Sequence, residues 1–70
     1  MNKVVTNKIA VHRALQGLSQ KELATAIGIS KKTISTIETS RCAPSVQIAL
    51  SIAAYFNVPV EVLFQLEQAS

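Results

Sequence analysis

The chain contains no aspartate and no tryptophan, and in 70 residues it has one cysteine, one histidine and two glycines. A single cysteine, Cys42, rules out an intramolecular disulfide and fits a reducing compartment, so a cytoplasmic location is expected. One histidine and four glutamates form no readable nucleophile–base pair, paired carboxylates or metal-ligand cluster. No glycine-rich phosphate loop is present. The expectation is a protein that is not an enzyme, with no catalytic residue, no metal and no cofactor. Nothing points to a small-molecule effector. Aromatic residues make up only 4% against 49% hydrophobic, so the core must be aliphatic. Two glycines and two prolines leave little scope for long loops and favour helices with short connections. The N-terminal residues 1–7 lack the apolar run of a signal peptide. Residues 42–60 carry no charge, but Pro44 and Pro59 bracket them and Ser45, Gln47, Ser51 and Asn57 interrupt them. A bilayer span needs about 20 predominantly apolar residues, so no membrane segment is expected.

What remains is one small domain with a limited core. The net charge is +3 with a pI near 9.4. That is modestly basic, and the placement of the charges says more than the total. Lys21, Lys31, Lys32 and Arg41 gather in the middle of the chain, whereas Glu61 and Glu67 lie near its C-terminus.

That middle segment reads as two short helices joined by a turn. Ser19 is an N-cap and Glu22 completes a capping box. Leu23, Ala24 and Ile27 form one apolar stripe, and Gly28 can take the left-handed conformation that ends a helix. Ser30 is the next N-cap. Ile34 and Ile37 form the second stripe and leave Lys31, Lys32, Ser35 and Thr36 outward. The pattern is a helix-turn-helix over about residues 20–39. Before it, Thr6 or Asn7 can cap a helix running to about Gln16, with Val5 stapled against Ala10 and with Ile9, His12, Arg13 and Gln16 on one face. After it, Ser45 caps a helix over about 46–56 whose core stripe is Ala49, Ile52, Ala53 and Phe56. A fifth helix over about 60–66 follows Pro59.

The words Gly17-Leu18-Ser19-Gln20-Lys21-Glu22-Leu23-Ala24, Ile27-Gly28-Ile29-Ser30 and Thr33-Ile34-Ser35-Thr36-Ile37-Glu38 resemble the Cro/C1-type (XRE-type) helix-turn-helix family of bacterial and phage regulators. Pro44-Ser45 and Val60-Glu61-Val62-Leu63-Phe64 continue the resemblance through the last two helices. It implies an all-α, five-helix, lambda-repressor-like DNA-binding domain over residues 7–64, with an arm at 1–6 and a tail at 65–70. Two departures stand out. Thr39-Ser40 occupies the family's usual Asn-Gly place, where a left-handed turn is costlier without glycine. Val62 replaces a usual acidic residue.

The resemblance also implies partners and roles. The partner is double-stranded DNA, bound by a repressor-like homodimer in the cytoplasm, associated with the nucleoid. The third helix would enter the major groove, which displays a distinct donor and acceptor pattern for each base pair. Lys31, Lys32, Ser35 and Thr36 are the candidate base contacts. Gln20, with Ser19, Thr33, Thr39 and Arg41, would contact phosphates, which fix register without reading sequence. Arg13 and Glu38 match an internal structural ion pair; two ordinary surface charges are the simpler alternative. Ile48, Tyr55, Val62 and Phe64 are the candidate dimer interface.

Several readings stay open. An antitoxin or restriction-modification controller shares the domain, and a protein-interaction module could keep the fold. His12 reads as a partly buried histidine with one hydrogen bond, and Cys42 as a semi-buried structural thiol. Val11 and Leu15 fall on the far side of the first helix. They are simply exposed, covered by the tail through Leu66, or part of an interface.

Overall fold

Four of the five helices in the computed structural model, which describes residues 3–68, begin where the sequence supplies a start signal. Helix α2 (Gln20–Ile27) starts at Ser19, whose hydroxyl accepts from the Glu22 N–H while the Glu22 carboxylate accepts from the Ser19 N–H, a closed capping box. Helix α3 (Lys31–Glu38) is capped by Ser30 and helix α4 (Val46–Phe56) by Ser45, each accepting from the N–H three residues on. Helix α5 (Val60–Leu63) follows Pro59. Helix α1 (Ile9–Gln16) differs: Lys8 is its N-cap and no side chain bonds from that position. Asn7, one residue earlier, accepts from the Ile9 N–H at 3.2 Å.

The helix ends are equally local. Gly17 (φ 64°) and Gly28 (φ 78°) take the left-handed conformation, and a Cβ built on either would meet no atom within 4 Å. Glycine is therefore set by backbone conformation there, not by space. Asn57 (φ 58°) ends α4 in the same way. Beyond α3, Ser40 adopts φ 60° without being glycine, so the turn keeps the left-handed geometry at a conformational cost.

Each helix places one side chain at the centre. Ile9, Leu23, Ile34, Ile52 and Leu63 come one from each of α1 to α5, and all are fully buried. Ala24, Ile37, Ala53 and Phe56 complete the core, while Leu18, Ile27, Ile29, Ile48, Val58, Val60 and Phe64 pack around it. Full burial of one such aliphatic side chain stabilises by about 1.5–3 kcal/mol, so the five central ones tie every helix to the same nucleus.

The all-α expectation needs extension. Strand β1 (Lys3–Asn7) pairs antiparallel with strand β2 (Phe64–Gln68), with Lys3 opposite Gln68, Val5 opposite Leu66 and Asn7 opposite Phe64. Thr6 donates from its hydroxyl to the Glu67 carboxylate at 2.7 Å. The strands cover most of the expected arm and tail, and they shorten the fifth helix, expected to reach residue 66, to four residues. Val5 accordingly faces Leu66 across the sheet instead of stapling onto Ala10.

Other placements also differ from expectation. Gln16 is exposed, since α1 ends there and the core does not extend to its last turn. Leu66 is 64% exposed and Val11 and Leu15 stand 56% and 79% exposed, so of the three open readings, cover by Leu66 is not met among the described residues. The His12 ring lies against Phe56, centroids 5.6 Å apart, and no side-chain hydrogen bond holds it among the described residues. Cys42 is exposed because its loop runs over the surface between α3 and α4.

Candidate nucleic-acid interface

Helices α2 and α3 pack directly on one another, with Leu23 and Ala24 of α2 and Ile34 and Ile37 of α3 in the shared core. Burying that side of α3 sends Lys31 and Lys32 into solvent at its N-terminal turn. Thr33 and the Ser30 cap share a hydroxyl–hydroxyl hydrogen bond of 2.8 Å. Ser35 and Thr36 are half-buried, not fully outward, because eight residues of helix cannot hide two isoleucines without partly covering their neighbours. The Thr36 hydroxyl donates to the Lys32 carbonyl at 2.9 Å, so its methyl and lone pairs are what it offers outward. Thr39, expected as the last helical residue, is the C-cap instead, and its hydroxyl donates back to the Ser35 and Thr36 carbonyls.

The α2 N-terminus forms the second part of the site. Its capping box consumes the Ser19 and Glu22 N–H groups. The N–H groups of Gln20 and Lys21 have no intramolecular partner among the described residues. The N–H bond from Ser19 holds the Glu22 carboxyl below the usual carboxylate range, so it stays ionised at neutral pH.

Behind both helices sits the ion pair. Arg13 on α1 meets Glu38, the last residue of α3, through two nearly parallel bonds: Nε to Oε2 at 2.7 Å and Nη2 to Oε1 at 3.1 Å. Their side chains are 19% and 8% exposed, which rules against two ordinary surface charges. The hydrogen bond to Glu38 pushes the Arg13 guanidinium above its ordinary value, so Arg13 keeps its charge. Arg13 also donates to the Leu18 carbonyl at 2.8 Å. A further bond was not legible in the sequence: the Gln20 amide donates to Glu38 Oε1 at 2.9 Å. No local pattern signals it, because the two residues lie 18 apart and on different helices.

A groove of about 290 Å³ opens beside the exposed face of α3, lined by Lys32, Thr33 and Thr36 on one side and by the 42–45 loop on the other. Arg41 is exposed at the start of this loop. The candidate base and phosphate residues thus fall along α3, the α2 N-terminus and the loop after α3. Of the expected dimer residues, Tyr55 and Val62 are 40% and 43% exposed, whereas Ile48 and Phe64 are half-buried against the chain's own core. Among the described residues no group of three histidine, cysteine or acidic side chains could hold a metal, and no helix is long and apolar enough to cross a membrane.

The family model described as "Helix-turn-helix" matches residues 9–63, which run from the first core residue of α1 to the last of α5. The chain belongs to the XRE-type helix-turn-helix family. An HTH-type transcriptional regulator of Methanocaldococcus jannaschii is 41% identical over 58 residues, covering 83% of this chain and 88% of the relative. The HTH-type transcriptional regulator YgzD of Bacillus subtilis is 36% identical over 62 residues, covering 89% of this chain and 94% of YgzD. Among solved structures, a putative DNA-binding protein from Bacteroides fragilis superposes with a TM-score of 0.77 at 28% identity, covering 87% and 98% of the two chains. The transcriptional regulator VanUg shares the fold, with a TM-score of 0.82 over 99% of this chain and 92% of its own at 18% identity. For an XRE-type chain the two helices of the motif are α2 and α3, the pair that carries the candidate site.

Proposed function

We propose that this XRE-type chain is a DNA-binding transcriptional regulator that reads double-stranded DNA sequence-specifically as a homodimer, in a repressor-like manner, in the cytoplasm and on the nucleoid. The observation that carries the reading is the exposed N-terminal turn of α3, with Lys31 and Lys32 clear of the core and the helix held from behind by Arg13 and Glu38. A helix so placed can enter the major groove, where lysine donates to guanine O6 and N7 and threonine packs its methyl on thymine. Gln20, Ser19, Thr33, Thr39 and Arg41 then lie where phosphates flank the groove, and their contacts supply affinity without sequence preference. Tyr55 and Val62 give the apolar centre of the dimer contact, with Ile48 and Phe64 beside them. Two half-sites about 34–36 Å apart would place both recognition helices on one DNA face.

Selection of bound fragments from a random double-stranded library tests this reading. A recovered palindromic consensus supports it; binding that vanishes uniformly with salt and shows no consensus overturns it. Sedimentation at about 100 µM tests the dimer, and a monomer there removes that part. The alternative of a protein-interaction module that keeps the fold draws on one observation: Leu15 is 79% exposed on α1, beside Val11. An antitoxin or a restriction-modification controller would be a subtype of the DNA-binding reading.

A further inference from the structure

We infer that Glu38 is a positioning residue for DNA binding, acting through Gln20, and that the Arg13–Glu38 pair is therefore part of the phosphate grip as well as of the fold. The inference rests on the reading of Gln20 as a phosphate contact. Gln20 is the first residue of α2 and its side chain has three rotatable bonds, so a free amide there would sample many orientations. Glu38 removes that freedom by accepting one amide hydrogen at 2.9 Å. A planar amide has two N–H donors, and the second remains for another acceptor.

Glu38 is itself immobilised. Both of its carboxylate oxygens are engaged by Arg13, and Oε1 is shared between Arg13 and Gln20. Arg13 is anchored in turn to the Leu18 carbonyl, two residues before Gln20. The backbone entering α2 and the first side chain of α2 are therefore both tied to one ion pair. The same stretch carries the N–H groups of Gln20 and Lys21, which have no partner among the described residues. A phosphate oxygen meeting these donors would find them pre-arranged, and ordering them in advance spares the entropy of ordering them on binding. Because Glu38 is also the last residue of α3, the clamp sets the α2 N-terminus at a defined position relative to the helix that would read bases.

The test is a double-mutant cycle read in DNA affinity, with thermal melts confirming that each variant is folded. The target is the fragment recovered by selection. Gln20→Ala is made in the native chain and in a background where Arg13→Met and Glu38→Leu replace the pair by apolar side chains. In the native chain the expected loss is about tenfold, as for one hydrogen bond to a charged group. In the apolar background Gln20→Ala costs less than about twofold, because an unanchored amide contributes little. Glu38→Gln, which keeps an acceptor oxygen for Gln20, restores most of the Gln20 contribution, whereas Glu38→Ala does not. Equal losses in both backgrounds overturn the positioning role and leave the phosphate reading intact. No loss in the native chain removes the phosphate reading itself, and the positioning role with it.

Discussion

The side-chain amide of Asn7 donates to the backbone carbonyl of Ile37 at 2.8 Å, joining the end of β1 to the last turn of α3 across 30 residues of chain. Its carbonyl oxygen meanwhile accepts from the Ile9 N–H, one of the free donors at the start of α1. One side chain thus connects the terminal sheet, the first helix and the candidate recognition helix. The neighbouring Lys8 N–H donates to the Leu63 carbonyl at 2.8 Å, which fixes the same junction to α5.

Replacing Asn7 by alanine should therefore destabilise the domain by about 1–3 kcal/mol, since two hydrogen bonds go and their backbone partners are left behind. Amide exchange of residues 3–7 and 64–68 should accelerate along with it. A melt unchanged by Asn7→Ala, with protection of the strands retained, would show that the sheet holds without this junction.

Arg13→Ala should lower stability by about 3 kcal/mol, because Glu38 is left mostly buried without its counter-charge. Substituting both partners with apolar residues of similar size should recover much of the loss, as no uncompensated charge remains. An exposed pair would cost under about 1 kcal/mol for either change. Thermal melts of both single variants and the double variant separate these outcomes, and coupling near zero would remove the pair from the account of stability.

Lys31→Ala and Lys32→Ala should weaken binding to the selected sequence more than binding to random DNA. A lysine on a base edge carries about 1–3 kcal/mol of discrimination, and its loss relaxes preference at one position. Arg41→Ala should weaken both kinds of binding alike and reduce the salt slope by about 1, as for a phosphate contact. Titration of each variant at several salt concentrations gives both quantities. Sequence preference that survives removal of both lysines would place base readout elsewhere.

The α2 capping box should confer an acid-sensitive share of stability. The Glu22 carboxyl titrates below its ordinary value when folded, because it accepts from the Ser19 N–H. Its contribution is fully present above the ordinary carboxylate value and is lost as pH falls through the depressed one. Glu22→Gln removes that dependence. The melting difference between native and variant protein should be largest near neutral pH and shrink on acidification. A difference that stays constant down to strongly acid pH would detach the carboxylate from the cap.

The starts of α2, α3 and α4, the left-handed end at Gly28, and the capping box at Ser19 and Glu22 were legible from residues alone. Each depends on contacts three or four positions apart, so neighbouring residue types suffice to specify it. The motif words also led to the family and to the Arg13–Glu38 pair. Four features lay beyond that range. Strand β1 can be recognised only beside β2, about sixty residues later, since a short segment without polar–apolar alternation has no ladder of its own. The exposure of Cys42 and the burial of Phe64 depend on how far the shared core extends, which no single helix pattern states. The bond from Gln20 to Glu38 exists because packing α2 on α3 brings an amide within 2.9 Å of a carboxylate already held by Arg13. Local hydrogen bonding chose the elements, and the mutual burial of five aliphatic side chains, one per helix, brought those distant polar groups together.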